Sequence, residues 1–508
     1  MTPFQRRNRR KNMKEFFNHK LLSLKELDYI FRDVSFKIPP RLHQLISVAF
    51  AVDNDDRRVV FQHGVGTGKT LCALFTTQLW KGKKILVITP SSAFCAWNKG
   101  IPQGTDYSYS FLTGTKKERI SALKKERDIY VINYEGLKYI YGILKPVKVE
   151  NGKIVKEWSI NYSSLVDKFD CIVFDEVHRC SNYTSLQTRI CLLLSKRAKC
   201  CIGMTGTAID KSMLELFNIQ KVVDLGKSFG LNFLTYRWMY FYLSFYDWKL
   251  KDGAKEKILK RISHNTISFE TDECTDLPEK QEMEIVVKPT KEFLDLEKAI
   301  VDGHSIDVGD IVINNENTKT KAQRLRQLSG GFLYYKGEDN EQKVFCLKKN
   351  PKLEALWDFI QDTDSKVVIF YWYKQDRIFI EKMLKQKKIR YVSMYGEQNQ
   401  IERMELQKRF GNDDTIRVMT AQSRIAEGYD AFAASIAIFY LPLGSPRMRT
   451  QCIGRIYRSG QNKKCFVYDI IMDNSVDWRI IKDRSERFSL VNSVKEYIQG
   501  YYQEDSEI

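Results

Sequence analysis

Gly64-Val65-Gly66-Thr67-Gly68-Lys69-Thr70 is the stretch of this chain whose residue types and spacing most directly imply chemistry. Closely spaced glycines let backbone N–H groups curl around an anion where a Cβ would obstruct the approach. A lysine and a hydroxyl closing such a loop suit the phosphates of a nucleotide such as ATP. Gly64, Gly66, Thr67 and Gly68 would cradle them, Lys69 would reach the β and γ phosphates, and Thr70 would hold Mg²⁺. The strict form of the motif opens on glycine, and His63 stands in that place.

Asp175-Glu176-Val177-His178 follows the apolar run CIVF. Phosphate hydrolysis needs one carboxylate to position Mg²⁺ and a second to orient and deprotonate water, and Asp175 and Glu176 fit these roles in that order. His178 is adjacent to the pair. Thr205 and Thr207, in MTGTA, carry hydroxyls suited to relaying the state of the γ phosphate, with a plain turn as the alternative. Arg455 and Arg458 in QCIGRIYRSGQ are three apart, which places them on one helical face. Arginines brought to a phosphoryl group stabilise the charge that develops there.

Something must position these residues. In the first half, VVFQH, ILVITP, DIYVINY, CIVFDE and KCCIGMTGT are short β-branched runs separated by longer helix-like stretches. Such runs read as parallel strands buried on both faces. The rhythm returns in KVVIF, IRVMT, IAIFYL and FVYDIIM, which predicts an α/β chain of two lobes. The loop at 64–70 then lies between a strand and a helix, as phosphate binding requires. The expected division is a basic segment at 1–36, a first lobe at 37–225, a helical extension and linker at 226–345, a second lobe at 346–485 and a tail at 486–508. Within the linker, FLTYRWMYFYLSFYDW is dense in aromatics. It reads as core rather than as a base-stacking surface.

The 508 residues are enough for two or three domains, with 82 Lys plus Arg against 63 Asp plus Glu, a net charge of +19. That excess favours a polyanionic partner, and nucleic acid is the expected one. No apolar run approaches the roughly 20 residues of a membrane span, so no membrane partner is expected. The N-terminus lacks the apolar stretch of a secretory signal. The eleven cysteines include no CxxC pair. Reduced, buried thiols in the cytoplasm, or alternatively the nucleus, are expected rather than a zinc site.

Taken in order, these motifs resemble superfamily-two helicases, and within them the Swi/Snf-like ATPases, from about Arg41 to Trp478. By that resemblance, Gln44 in RLHQ reads adenine, and TPSSAFCAWNKG ending near Trp97 and INYEGL with Tyr134 are coupling or nucleic-acid motifs. DLPEK, LRQLSGG and KLEAL look like linker elements of this family. Gly428 in EGYDAFAAS and Gln451 are implied on the nucleotide, and Arg455, Arg458 and Gln461 fall in the family's last motif. Gly454 and Tyr457 stand where Asp and His are usual, and Gly444-Ser445 replaces the usual Trp-Asn. These departures favour a compact viral, phage, bacterial or plasmid-borne type over a chromatin remodeller.

The resemblance implies two tandem RecA-like lobes and an ATP-dependent translocase on duplex DNA that remodels protein–DNA complexes or branched DNA. Its partners would be replication, repair or transcription proteins. The alternatives are a strand-separating helicase, an ATPase directed at RNA or transcription complexes, and an inactive nucleic-acid-binding scaffold. The last is disfavoured because Lys69, Thr70, Asp175, Glu176, Arg455 and Arg458 are all present.

Overall fold

The structure is a computed structural model. It describes residues 24–487, apart from 151–152, 162–168, 207–211, 245–246, 275–276, 303–305, 309–310, 314–317, 337–340, 426–428 and 459. The expectations for Thr207, Gly428, most of the basic N-terminal segment and nearly all of the tail therefore lie outside the described residues. Contacts divide the chain into two compact units between Thr275 and Asp276.

The first unit is built on a seven-stranded sheet. From edge to edge its strands are Thr266–Phe269, Arg58–His63, Cys200–Thr205, Cys171–Asp175, Ile85–Thr89, Ile129–Asn133 and Tyr109–Phe111. Every neighbouring pair is parallel. The sequence dictates this through its period of two. Phe61, Val87, Val131 and Val173 enter one core, while Val60, Leu86, Ile132 and Phe174, one place along, enter the other. With apolar side chains on both faces, each strand is stable only between two helical layers. Burying each Val, Leu or Phe stabilises the fold by roughly 1.5–3 kcal/mol.

The second unit repeats the plan with six parallel strands in the order Lys280–Val287, Cys465–Met472, Ile436–Phe439, Val367–Tyr371, Val418–Gln422 and Tyr391–Met394. Val367 and Ile369 face one core, and Val368 and Phe370 the other.

The segment at 226–345 contains more than a helical connection. Thr266–Phe269 closes one edge of the first sheet and Lys280–Val287 is an edge of the second, so the division between units falls inside this segment. Neither strand has its partner nearby in sequence. Lys280 pairs with Cys465, and KQEMEIVV, exposed along much of its length, lacks the apolar run of an interior strand. The aromatic stretch also departs from the core expectation. Tyr236, Tyr240 and Phe241 are buried, but Trp238, Met239, Tyr242 and Leu243 are exposed. It forms the helix Phe233–Tyr240 and then the hairpin Phe241–Ser244 with Asp247–Leu250.

All eleven cysteines are free, most of them buried, and burial pushes the Cys201 and Cys452 thiols up to about 12. Among the described residues, no helix is long and apolar enough to cross a membrane.

Candidate active site

Parallel strands in register end together, and that alone assembles the site. Gln62 lies opposite Thr205, Met204 opposite Asp175, Phe174 opposite Ile88, and Thr89 opposite Asn133. The chain therefore leaves the sheet at one edge with the glycine loop, Thr205, the acidic pair, Thr89 and Tyr134 side by side. Open α/β sheets place their ligands at this carboxyl edge.

The loop at 64–68 joins the Arg58–His63 strand to the helix Lys69–Leu79. Gly66 and Gly68 take positive φ, 80° and 85°. At Gly68 a side chain is excluded twice, since its Cβ would also lie 2.5 Å from Gln44 Nε2. Lys69 Nζ donates to the carbonyls of His63 at 3.0 Å and Gly64 at 2.9 Å, so the ammonium is held over the loop at the helix N-terminus. Thr67 Oγ1 ties back to the Gly64 carbonyl at 2.9 Å. Gln44 Oε1 accepts from the Arg41 N–H at 2.8 Å, and its amide nitrogen points at the carbonyls of Thr67 and Gly68, 3.4 and 3.3 Å away.

Asp175 is buried at the end of its strand. Thr89 Oγ1 and Trp97 Nε1 both donate to Oδ2, at 2.8 and 2.9 Å. Burial raises its pKa and the neighbouring Glu176 charge raises it further, while the Trp97 and Thr89 hydrogen bonds and Lys69 pull it down. Glu176 occupies the left-handed region, φ 53°, which turns the chain sharply after the strand. Its Oε2 lies 3.2 Å from His178 Nδ1 and 3.4 Å from Thr205 Oγ1, and His178 and Thr205 are themselves 3.1 Å apart. Tyr134 donates its hydroxyl to the Asp175 carbonyl at 2.9 Å.

Trp97, Tyr134, His178 and Thr205 are thus gathered around the acidic pair, and all four are buried. Gln461 is also buried. Its amide donates to the carbonyls of Phe432, Ala434 and Ile456 at 2.9–3.1 Å, pinning the turn that carries the arginines.

In the second unit the helix Pro446–Ile453, which carries Gln451, stops before the arginines, with Gly454 at its C-cap. Arg455 and Arg458 therefore sit in the following turns and share no helical face. They share a target instead. Arg458 pairs with Asp430, Arg455 Nη1 lies 4.0 Å from the same carboxylate, and Arg455 also donates to the Tyr429 carbonyl at 2.8 Å. Burial lowers the Arg458 pKa.

Several neighbours were not legible in the sequence. His43 contacts the Thr67 carbonyl through Nε2 at 2.8 Å, and burial lowers its pKa. Thr271 Oγ1 donates to the Val65 carbonyl at 3.1 Å and would clash with any side chain at position 64. Asp430 completes the set. Of these, only His43 had a local signal, its place beside Gln44.

Mg²⁺ prefers oxygen ligands and is held by one or two protein groups plus phosphates and water. The donors at this edge, Thr70 and Asp175, suit that pattern. Among the described residues no group of three or more His, Cys, Asp or Glu is arranged to cage a metal. The site fits a cation that arrives with a nucleotide.

The family description "Type III restriction enzyme, res subunit" matches residues 32–210, and "Helicase conserved C-terminal domain" matches residues 351–460. A DNA repair and recombination protein RAD54-like of Drosophila virilis is 22% identical over 490 residues, covering 85% of this chain and 59% of the fly protein. An uncharacterized ATP-dependent helicase, YqhH of Bacillus subtilis, is 22% identical, covering 90% of this chain and 79% of that protein. The ISWI chromatin-remodeling complex ATPase ISW1 of Saccharomyces cerevisiae is 22% identical, covering 84% and 38%. The chain thus spans little more than half the length of the fly relative. With a phosphate loop and an acidic pair on one sheet edge and an arginine pair in a second parallel-sheet unit, the chain is similar to helicase-type ATPases of superfamily two, the Swi/Snf-like relatives among them.

Proposed function

We propose that this protein hydrolyses ATP to move along duplex DNA, remodelling protein–DNA complexes or branched DNA. The observation that carries the reading is the convergence of Lys69, Thr70, Asp175, Glu176 and Thr205 at one sheet edge. In this reading the loop amides and Lys69 bind the phosphates, and Gln44 stands by the base. Thr70 and Asp175 hold Mg²⁺, which neutralises phosphate charge when bound. Glu176 orients the attacking water and takes its proton. The Glu176–His178–Thr205 contacts give a route by which the state of the phosphates reaches the neighbouring strand.

Arg455 and Arg458 complete the chemistry by stabilising charge on the phosphoryl group in the transition state. The net charge of +19 supports sequence-independent phosphate binding. The names of the fly and yeast relatives, which speak of DNA repair, recombination and chromatin remodeling, favour DNA as the nucleic acid.

The test is ATP turnover without nucleic acid, with duplex DNA, with single-stranded DNA and with RNA, all at one salt concentration. Stimulation by duplex above the others is expected. Preferential stimulation by single strands or RNA would replace this reading with an unwinding or transcription-directed activity.

A further inference from the structure

The hairpin Phe241–Ser244 with Asp247–Leu250 exposes apolar side chains on both of its faces. Successive strand residues point in opposite directions, and Tyr242 and Leu243 are 47% and 54% exposed. A two-stranded hairpin is marginal by itself. This one is anchored by buried Phe241 and by Trp248 and Leu250 packed on the core of the first unit. Beside it, Trp238 is 60% exposed and held in place edge-on against Trp248, ring centroids 5.1 Å apart. An indole fixed in the open is a flat, pre-oriented surface.

Next to Met239 lies a cavity of about 550 Å³ lined by Lys251, Lys257, Lys260 and Arg261, with Asp252 as its one carboxylate. Lys251 and Arg261 donate to the main-chain carbonyls of Trp238 and Ser228. No described carboxylate forms an ion pair with any of the four. On the hairpin itself, Tyr242 lies opposite Lys249. Trp238 packs on Trp248, which pairs with Leu243 on the face opposite to Tyr242 and Lys249, so Trp238 and Leu243 share a face, with the cations of the cavity beside Met239.

We infer that this surface binds an unpaired nucleic-acid strand, its bases packed on Trp238 and Leu243 and its phosphates on the cations of the adjoining cavity. The inference rests on the nucleic-acid reading above and names a second contact within it. A duplex hides its base faces, so projecting rings suit a single strand. Lysine is depleted at protein–protein interfaces and frequent at phosphate contacts, which disfavours a protein occupant.

The test uses the full chain with two variants, Trp238→Ala/Leu243→Ala and Lys257→Glu/Lys260→Glu. Affinity for an oligo-dT strand is measured beside duplex-stimulated ATP turnover, and an iodouracil-substituted strand is photocrosslinked to the unaltered chain. Both variants are expected to weaken oligo-dT binding about tenfold or more, with turnover on blunt duplex and thermal melting unchanged. The crosslink is expected in the peptide spanning 238–251. Unchanged oligo-dT affinity in both variants, or a crosslink elsewhere only, overturns the inference. So does binding of an acidic amphipathic peptide here that oligo-dT fails to displace, which would make the surface a protein-docking site. Absence of duplex stimulation in the unaltered chain would sink the translocase reading, while the crosslink would still decide this one.

Discussion

Lys69 and Asp175 show how a single side chain is prepared for its task. Lys69 is held on the carbonyls of His63 and Gly64, so in its proposed role an incoming phosphate would replace existing hydrogen bonds and the side chain would not have to be ordered afresh. Lys69→Ala is expected to lower ATP turnover by roughly a hundredfold or more. Duplex binding should persist, with turnover and fluorescence anisotropy measured together; near-normal turnover would remove the site assignment. At Asp175, burial favours the protonated form and the Trp97 N–H opposes it. Trp97→Phe removes that donor, so the Asp175 pKa rises and more alkaline solution is needed to ionise it. The acidic limb of the kcat profile should move to higher pH. An unmoved limb would show that Asp175 is not the group titrating there.

At the scale of elements, what matters is how strands, turns and helix starts hold such groups. Arg455 and Arg458 are carried by turns that Gln461 pins from below, and both meet Asp430. Arg458→Ala is expected to slow hydrolysis about a thousandfold while leaving the melting temperature nearly unchanged. Normal hydrolysis in that variant would separate the arginine from the chemistry. The start of the helix Lys374–Gln386 offers a different case. Asp376 Oδ2 accepts from the N–H groups of Trp372 and Tyr373 at 3.1 and 2.7 Å, but Oδ1 is buried without a partner. Burial, against the pull of those N–H groups and of Lys352 and Arg326, raises its pKa from 3.8 to about 7. A raised acid pKa means the folded state binds the proton more tightly. Its stabilisation is full below pH 4 and is lost as pH climbs through 7. Asp376→Asn has no charge to bury, so its advantage should grow across that window to on the order of 4 kcal/mol at pH 8. Urea midpoints for both proteins between pH 4 and 8 would measure it; parallel curves would mean that Asp376 does not titrate.

For the whole molecule the relevant quantity is summed charge. With a net +19, and on the proposed phosphate-directed binding, log affinity for a blunt duplex should fall linearly with log salt. The expected slope is between about −5 and −9. Anisotropy titrations from 50 to 300 mM KCl would test this, and a nearly flat line would exclude phosphate-dominated binding. The two sheets also show how far a sequence can be read. Val59-Val60-Phe61 and Val367-Val368-Ile369 are legible because burial on both faces demands apolar residues at every position. Lys280–Val287 is not, since an edge strand with one exposed face keeps its polar residues and its partner begins at Cys465.

The sequence by itself determined the strand–loop–helix around Lys69, the acidic pair after Phe174 and the two-lobed α/β plan. These rest on contiguous residues, where steric freedom, hydrogen-bond direction and period-two burial act within a few positions. Only the tertiary structure decided that Trp97 and Thr89 hold Asp175 and that Thr271 closes the loop from 206 residues away. It likewise decided that Asp430 gathers both arginines and that half of an aromatic stretch faces outward. Such contacts depend on which strands become neighbours and in what register. That choice is made by packing over the whole sheet, and no local pattern records it.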